Sequence, residues 1–130
     1  MSYIGTHWIF DGHGAKVSLL DDEAHLKHVL AKLPDALGLT RVNEPQTFRH
    51  DGEDQRTLAG VVLLAESHFS LHAFPDQGVL HCDLFSCTQF DLEKARAFMV
   101  DAYVVTDFRE QVFTRTSGAE RGIDLTRVAR

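Results

Sequence analysis

Glu66, Ser67, His68 and His72 fall within one short stretch, and Cys87 follows a little further on. A serine hydroxyl lies next to the carbonyl of the peptide bond before it. Attack there gives an N-to-O acyl shift and an ester, a nearly intramolecular step that needs only a turn holding Ser67 in place. Strain at a Glu66–Ser67 corner would assist it. An imidazole can move the protons, and hydrogen-bond donors would stabilise the developing oxyanion. A thiol titrates close enough to neutrality to give up a proton, which makes Cys87 a candidate acid. Taken alone, the tripeptide Glu66-Ser67-His68 reads better as an ordinary turn at the end of a strand; the spacing to His72 and Cys87 and the flanking Phe74-Pro75-Asp76 shift the reading.

Other chemistries fit less well. His68 and His72 superficially suggest a metal pair, but residues four apart on a strand are roughly 13 Å apart, too far to share one ion. His81 alternates with Asp83 on one strand face and reads as a surface or interface residue. No Gly-x-Ser-x-Gly elbow accompanies Ser67, which argues against serine hydrolase chemistry. The two cysteines, Cys82 and Cys87, would be roughly 16 Å apart along one strand, so a disulfide between them is not expected and a reducing compartment is.

The elements that must position these residues are legible from periodicity. Residues 3–10 form a first strand, rich in aromatic and β-branched types, and the cluster Asp11-Gly12-His13-Gly14 marks a turn. Asp21, Asp22 and Glu23 cap a helix whose apolar stripe is Leu26, Val29, Leu30, Leu33 and Leu37, closed by Gly38. Pro34 inside that pattern predicts a kink or an early end near Leu33. A short strand is expected around residues 46–49, then an exposed polar loop over 51–56. The apolar run 57–66 reads as a strand buried on both faces. Residues 69–74 return from the corner, Asp76-Gln77-Gly78 turns, and 79–87 form a further strand. Asp91 caps a second helix to about Tyr103, with Leu92, Ala95, Phe98, Met99 and Ala102 inward. A last strand over 111–116 precedes a polar tail containing Gly118 and Gly122, expected to be mobile. The pattern predicts an α+β fold: a two-layer sandwich, an antiparallel sheet with two helices packed on one face.

The 130 residues suit one domain, residues 1–130, with 44% hydrophobic and 25% charged residues and a net charge of −6. That charge argues against nucleic acid or an anionic membrane surface as partner. The longest apolar run is far short of the ~20 residues a membrane span needs, and the N-terminus lacks the basic and apolar regions of a signal peptide. A cytoplasmic protein is expected.

The stretch Ala-Glu-Ser-His-Phe-Ser-Leu-His (65–72), with Phe74-Pro75-Asp76, Asp83-Leu84-Phe85-Ser86-Cys87 and the opening Gly5-Thr6-His7 followed by Asp11, resembles the prokaryotic S-adenosylmethionine decarboxylase proenzymes. The likeness runs through the second helix and fades in the last two dozen residues. It implies a two-layer α/β sandwich working as a homodimer, with active-site parts near the subunit contact. It further implies cleavage between Glu66 and Ser67 into 1–66 and 67–130, and conversion of Ser67 into a pyruvoyl group. That group serves as the decarboxylation cofactor, an electron sink comparable to pyridoxal phosphate. By the same resemblance His72 assists self-processing and Cys87 donates a proton in decarboxylation. Phe74 would pack the adenine and Asp76 would reach the ribose hydroxyls; no metal is implied.

Three positions depart from the family pattern. Ala59 stands where the family usually has a serine, eight positions before the processing serine. Phe74-Pro75-Asp76 replaces the usual Trp-Pro-Glu, giving a smaller stacking face and a shorter acid. The stretch before Ala59 is longer than usual, leaving Phe48 as the candidate for a second adenine-stacking aromatic. The expected reaction is decarboxylation of S-adenosylmethionine to the aminopropyl donor for spermidine. The alternatives are the same chemistry on another amino acid such as arginine or ornithine, whose cationic side chain would suit Asp76, or an unprocessed, catalytically silent binding homologue.

Overall fold

The computed structural model describes residues 2–118 and the backbone of residues 124–129. In chain order the elements are β1 (Tyr3–His13), α1 (Val17–Leu20), α2 (Glu23–Ala36), β2 (Gln46–Asp51), β3 (Arg56–Leu64), β4 (Ser67–Phe74), a 3-10 turn (Pro75–Gln77), β5 (Val79–Ser86), α3 (Leu92–Tyr103), β6 (Asp107–Thr116) and β7 (Asp124–Ala129). The strands form one sheet in the order β2-β3-β4-β5-β1-β6-β7, with every neighbouring pair antiparallel. Helices cover one face, so the expected α+β sandwich is what the chain adopts.

Both long helices begin where the carboxylates predicted. Asp22 accepts a hydrogen bond from the backbone N–H of His25 at 3.0 Å, and Asp91 accepts one from Lys94 at 3.1 Å. The buried stripe of α2 is Leu26, Val29, Leu30, Leu33 and Pro34. Pro34 lies inside the helix without ending it at Leu33: the N–H of Leu37 still donates to the Leu33 carbonyl at 3.1 Å. In the last turn a missing donor affects few bonds, which is why proline is tolerated there. Gly60 on β3 has a packing reason to lack a side chain, because a Cβ there would collide with Leu30 of α2.

The covered layer is dry. Trp8, Phe10, Leu58, Val62, Phe69, Leu71, Leu80, Cys82 and Leu84 from the sheet meet Leu26, Leu30, Leu33, Ala95, Met99 and Tyr103 from the helices, all essentially inaccessible. Burial in this layer pushes the Cys82 thiol well up, so it behaves as a small hydrophobe. Among the described residues the only charge buried in that layer is Glu110, gripped by the Arg96 guanidinium Nε at 2.6 and 2.9 Å across the α3–β6 contact.

Several boundaries differ from expectation. Strand β1 continues through Asp11, Gly12 and His13, which pair with β5 and β6, and the chain turns only at Gly14, whose φ is 62°. Gly12 is a close-packing position instead, since a Cβ would lie 3.1 Å from Val105. Strand β6 starts at Asp107, well before the predicted 111. The polar tail contributes β7, paired with β6, where a mobile end was expected; Gly122 lies outside the described residues. Finally, β3 is not buried on both faces. Its inner residues Leu58, Val62 and Leu64 are inaccessible, whereas Val61 and Leu63 are 39% and 48% exposed. The second face of the sheet is open. No described helix is long and apolar enough to cross a membrane.

Candidate active site

Two residues, Ala65 and Glu66, turn the chain between β3 and β4, with Leu64 paired to Ser67 across the hairpin. Glu66 has φ of 60°, a left-handed conformation that costs a non-glycine residue about 1 kcal/mol or more. The strain therefore lies at the residue whose carbonyl precedes Ser67.

Cys87, immediately after β5, holds that peptide from two sides. Its backbone N–H donates to the Ser67 hydroxyl oxygen at 3.0 Å, and its thiol donates to the Glu66 carbonyl oxygen at 3.0 Å. The thiol polarises the carbonyl and is placed to stabilise an oxyanion forming on it. The amide is placed to stabilise negative charge on the Ser67 oxygen. Strand register supplies the reason for this approach. Strand β4 pairs with β5 from His68↔Phe85 to Phe74↔Val79, so the residue two beyond Phe85 arrives beside the start of β4. Cys82 and Cys87 are both free thiols, with Cys87 partly accessible.

His72 is elsewhere. It stands five residues along β4 from Ser67, about 16 Å away at strand rise, on the open face. Its neighbours across the strands are Ala59 and His81, and Phe74 stacks beside it with ring centroids 6.4 Å apart. Phe48 is paired with Ala59 on the other side. The small side chain of Ala59 leaves a hollow of about 340 Å³ whose lining includes Phe48, Ala59, Val61, Ser70 and His72. Of the predicted site residues, then, the structure joins Glu66, Ser67 and Cys87 at one end of β4, and His72 and Phe74 near the other.

Asp76, in the 3-10 turn that follows, accepts hydrogen bonds from the Arg56 backbone N–H at 2.8 Å and from its guanidinium at 3.0 and 2.7 Å. These bonds hold its carboxyl below the usual carboxylate range.

One further pair lies between β1 and β5, strands distant in sequence. His7 Nε2 and Asp83 Oδ1 are 3.1 Å apart on the open face, where Phe85 and Phe113 meet the imidazole edge-on at 6.2 and 6.0 Å. The bond to His7 lowers the Asp83 carboxyl, with His72 and His68 adding to the effect. The alternation of His81 and Asp83 was visible, but the partner of Asp83 is on a strand distant in sequence. Among the described residues no three histidine, cysteine or acidic side chains gather closely enough to hold a metal ion.

The fold and site together are an antiparallel α+β sheet with one bare face and, at the start of β4, a strained Glu-Ser turn held by the Cys87 thiol. Comparison with known proteins is specific. The family model for S-adenosylmethionine decarboxylase matches residues 6–116, and the chain belongs to that family. The S-adenosylmethionine decarboxylase proenzyme of Archaeoglobus fulgidus is 29% identical over 114 residues, spanning 86% of this chain and 97% of its own. The proenzyme of Synechococcus sp. (strain WH7803) is 32% identical, covering 89% and 88%. In fold, the crystal structure of the adenosylmethionine decarboxylase of Aquifex aeolicus VF5 superposes with a TM-score of 0.77 at 22% identity, over 94% of this chain and 98% of that one.

Proposed function

We propose that the chain cuts itself between Glu66 and Ser67 and that the processed protein decarboxylates S-adenosylmethionine, giving the aminopropyl donor for spermidine synthesis in the cytoplasm. The observation that carries this reading is the double hold of Cys87 on the Glu66–Ser67 peptide, at 3.0 Å to each oxygen, combined with the left-handed φ of Glu66. Attack by the Ser67 oxygen on the Glu66 carbonyl carbon forms a C–O bond. The hydroxyl proton leaves to a base, and the C–N bond then breaks to give the ester. Elimination frees the Glu66 carboxylate, and hydrolysis with loss of ammonia converts Ser67. The turn strain is relieved by the same bond cleavage.

The residues fit a pyruvoyl group at position 67, since a hydroxyl-bearing precursor, an amide donor and a proton-bearing thiol already converge there. That group supplies an electron sink for the pair released as carbon dioxide departs. Cys87 then holds a proton where the substrate carbon must receive one. Phe74, on the open face between His72 and His81, presents a flat ring for a purine.

His72 cannot reach Ser67 of its own chain, so its assisting role requires a second copy. The open face supports that arrangement: Phe48, Val61 and Leu63 are exposed there, and a sheet with one uncovered apolar face packs well against another. The reading is a homodimer joined through these faces, in which His72 of one chain serves Ser67 of the other. Decarboxylation of arginine or ornithine drew on Asp76 as a free anion, and Arg56 already neutralises it.

The intact mass of the purified protein tests the proposal, with Ser67→Ala as control. Fragments 1–66 and 67–130, the second blocked to N-terminal sequencing, are expected, followed by carbon dioxide release from S-adenosylmethionine but not from arginine or ornithine. A full-length chain after long incubation would favour the silent homologue.

A further inference from the structure

Arg41, Arg49, Arg56 and Arg96 each meet a carboxylate. Arg115 does not: among the described residues no carboxylate lies within ion-pair reach of it, and its Cζ sits instead 5.0 Å from the centroid of the Phe85 ring on the open face. A guanidinium held against a ring keeps N–H donors free around its rim, so the charge is fixed in place without being neutralised.

The backbone is shaped for this contact. Between Tyr3↔Thr116 and Gly5↔Arg115, β1 advances two residues while β6 advances one, a bulge of the kind that re-aims a side chain. Gly5 supplies the room. A Cβ there would lie 2.8 and 2.9 Å from Phe85 Cε1 and Cζ, so the ring can lean over β1 only because position 5 has no side chain. Strand β6 is three strands from β4, roughly 14 Å at ordinary spacing. The bulge and the glycine together bring its guanidinium onto a ring of β5, the neighbour of β4.

The place of that ring gives the charge a use. Phe85 pairs with His68 and precedes by two residues Cys87, whose thiol is 3.0 Å from the Glu66 carbonyl oxygen. Residue 67, the thiol, the ring and the guanidinium thus follow one another across the starts of the site's strands. The α-carbon of an amino-acid substrate carries both an amine and a carboxylate. With the amine at residue 67 and the α-carbon within reach of the Cys87 proton, the carboxylate projects over Phe85 toward Arg115.

We propose that Arg115 is the residue that reads the substrate's carboxylate, so that the site prefers the amino acid it takes in over the amine it releases. The inference rests on the decarboxylation of S-adenosylmethionine proposed above and names the group of this chain that tells substrate from product. The ion pair exists before carbon dioxide departs and has no partner afterwards. Its contribution is therefore to holding the substrate rather than to the bond-breaking step.

The test compares processed wild type, Arg115→Gln and Arg115→Lys by steady-state kinetics on S-adenosylmethionine and by calorimetric titration with its decarboxylated product. Arg115→Gln is expected to raise KM about ten- to fiftyfold, the worth of a two-pronged, charge-assisted hydrogen bond. Its kcat should stay within about threefold of the wild type, and the product Kd should not move. Arg115→Lys should raise KM less, by about three- to fivefold, because a point charge replaces the planar fork. An Arg115→Gln enzyme with the wild-type KM would overturn the proposal. So would a KM and a product Kd that rise together, since a group that merely shapes the site, or that holds the freed Glu66 carboxylate, affects both ligands alike. If Arg115→Gln does not fold or is not cut, the lysine variant carries the test, and an unchanged KM there also counts against the proposal. Processed wild type that releases no carbon dioxide from S-adenosylmethionine would instead refute the substrate assignment and the proposal with it, an outcome told apart because turnover is absent in the unaltered chain.

Discussion

The two faces of this sheet are made from alternate residues of the same strands, yet they do opposite things. Toward the helices β3 presents Leu58, Gly60, Val62 and Leu64, all buried; away from them it presents Thr57, Ala59, Val61 and Leu63. On β4 the contrast is sharper, with Phe69, Leu71 and Ala73 buried inward and His68, Ser70, His72 and Phe74 outward. The inner face carries stability, by packing at high density and excluding water. The outer face carries imidazoles, carboxylates and half-covered aromatics that a compact monomer has no use for. A face that contributes little to folding can be filled with reactive groups at small cost, provided something later covers it.

The largest effect expected from this contrast is all-or-none. Ser67→Ala and His72→Ala chains should each remain uncut alone. Refolded together from a denatured mixture, they should yield cleaved His72→Ala chains, seen as new fragments in the mass spectrum. Failure of any His72→Ala chain to be cleaved in the mixture would place the assisting imidazole on the same chain as its serine and break the division of labour between faces. Next comes stability. Trp8→Ala on the inner face should cost about 3–5 kcal/mol in urea unfolding, independent of protein concentration. Leu63→Ala on the outer face should instead weaken subunit association, lowering the midpoint and reducing its dependence on protein concentration as the monomer comes to prevail.

A smaller change is expected from Ala59→Ser, which places a hydroxyl beside His72 in register. Self-cleavage should quicken by on the order of tenfold, the worth of one well-placed hydrogen bond to a charged group. The smallest effect is in acid. The bond to His7 depresses the folded Asp83 carboxyl, so the pair contributes stability above the ordinary carboxylate value of about 3.9 and loses it as pH falls through the lower folded value. Asp83→Asn should flatten that acid limb by less than about 1 kcal/mol, measured as melting temperature between pH 6 and pH 3.

Much of this was legible in the residues themselves. The caps at Asp22 and Asp91 and the stripes of α2 and α3 are local signals, and they held. So did the Glu66–Ser67 corner, because an apolar run ending in a polar turn needs no distant partner to be read. What eluded the sequence was set by pairing across long separations. Strand β1 runs on through Gly12 because β5 and β6 flank it on both sides, and the polar tail becomes a strand because β6 offers it an edge. The short sequence interval between Ser67 and His72 suggested proximity, but an extended chain converts five residues into most of the length of a strand and the opposite face. Phe48 and Ala59 looked unrelated until β2 and β3 placed them side by side.

The order β2-β3-β4-β5-β1-β6-β7 would also decide what becomes of the molecule after the proposed cut between Glu66 and Ser67. A break after Glu66 gives β1, β2 and β3 to one fragment and β4 to β7 to the other, and the two are interleaved: β1 lies between β5 and β6, far from its own fragment's hairpin. Neither piece can depart without breaking three strand pairings, β3 with β4 and β1 with both β5 and β6. The nicked protein should therefore melt as one unit, yet once denatured it has to reassemble from two bodies. Forming its sheet becomes second order in protein, slowing on dilution, where the uncut precursor can form the sheet within one chain. The proposed cut would make such a fold a ratchet: the chain would enter the cut state directly from its native form, but the way back through unfolding would no longer be the way it came.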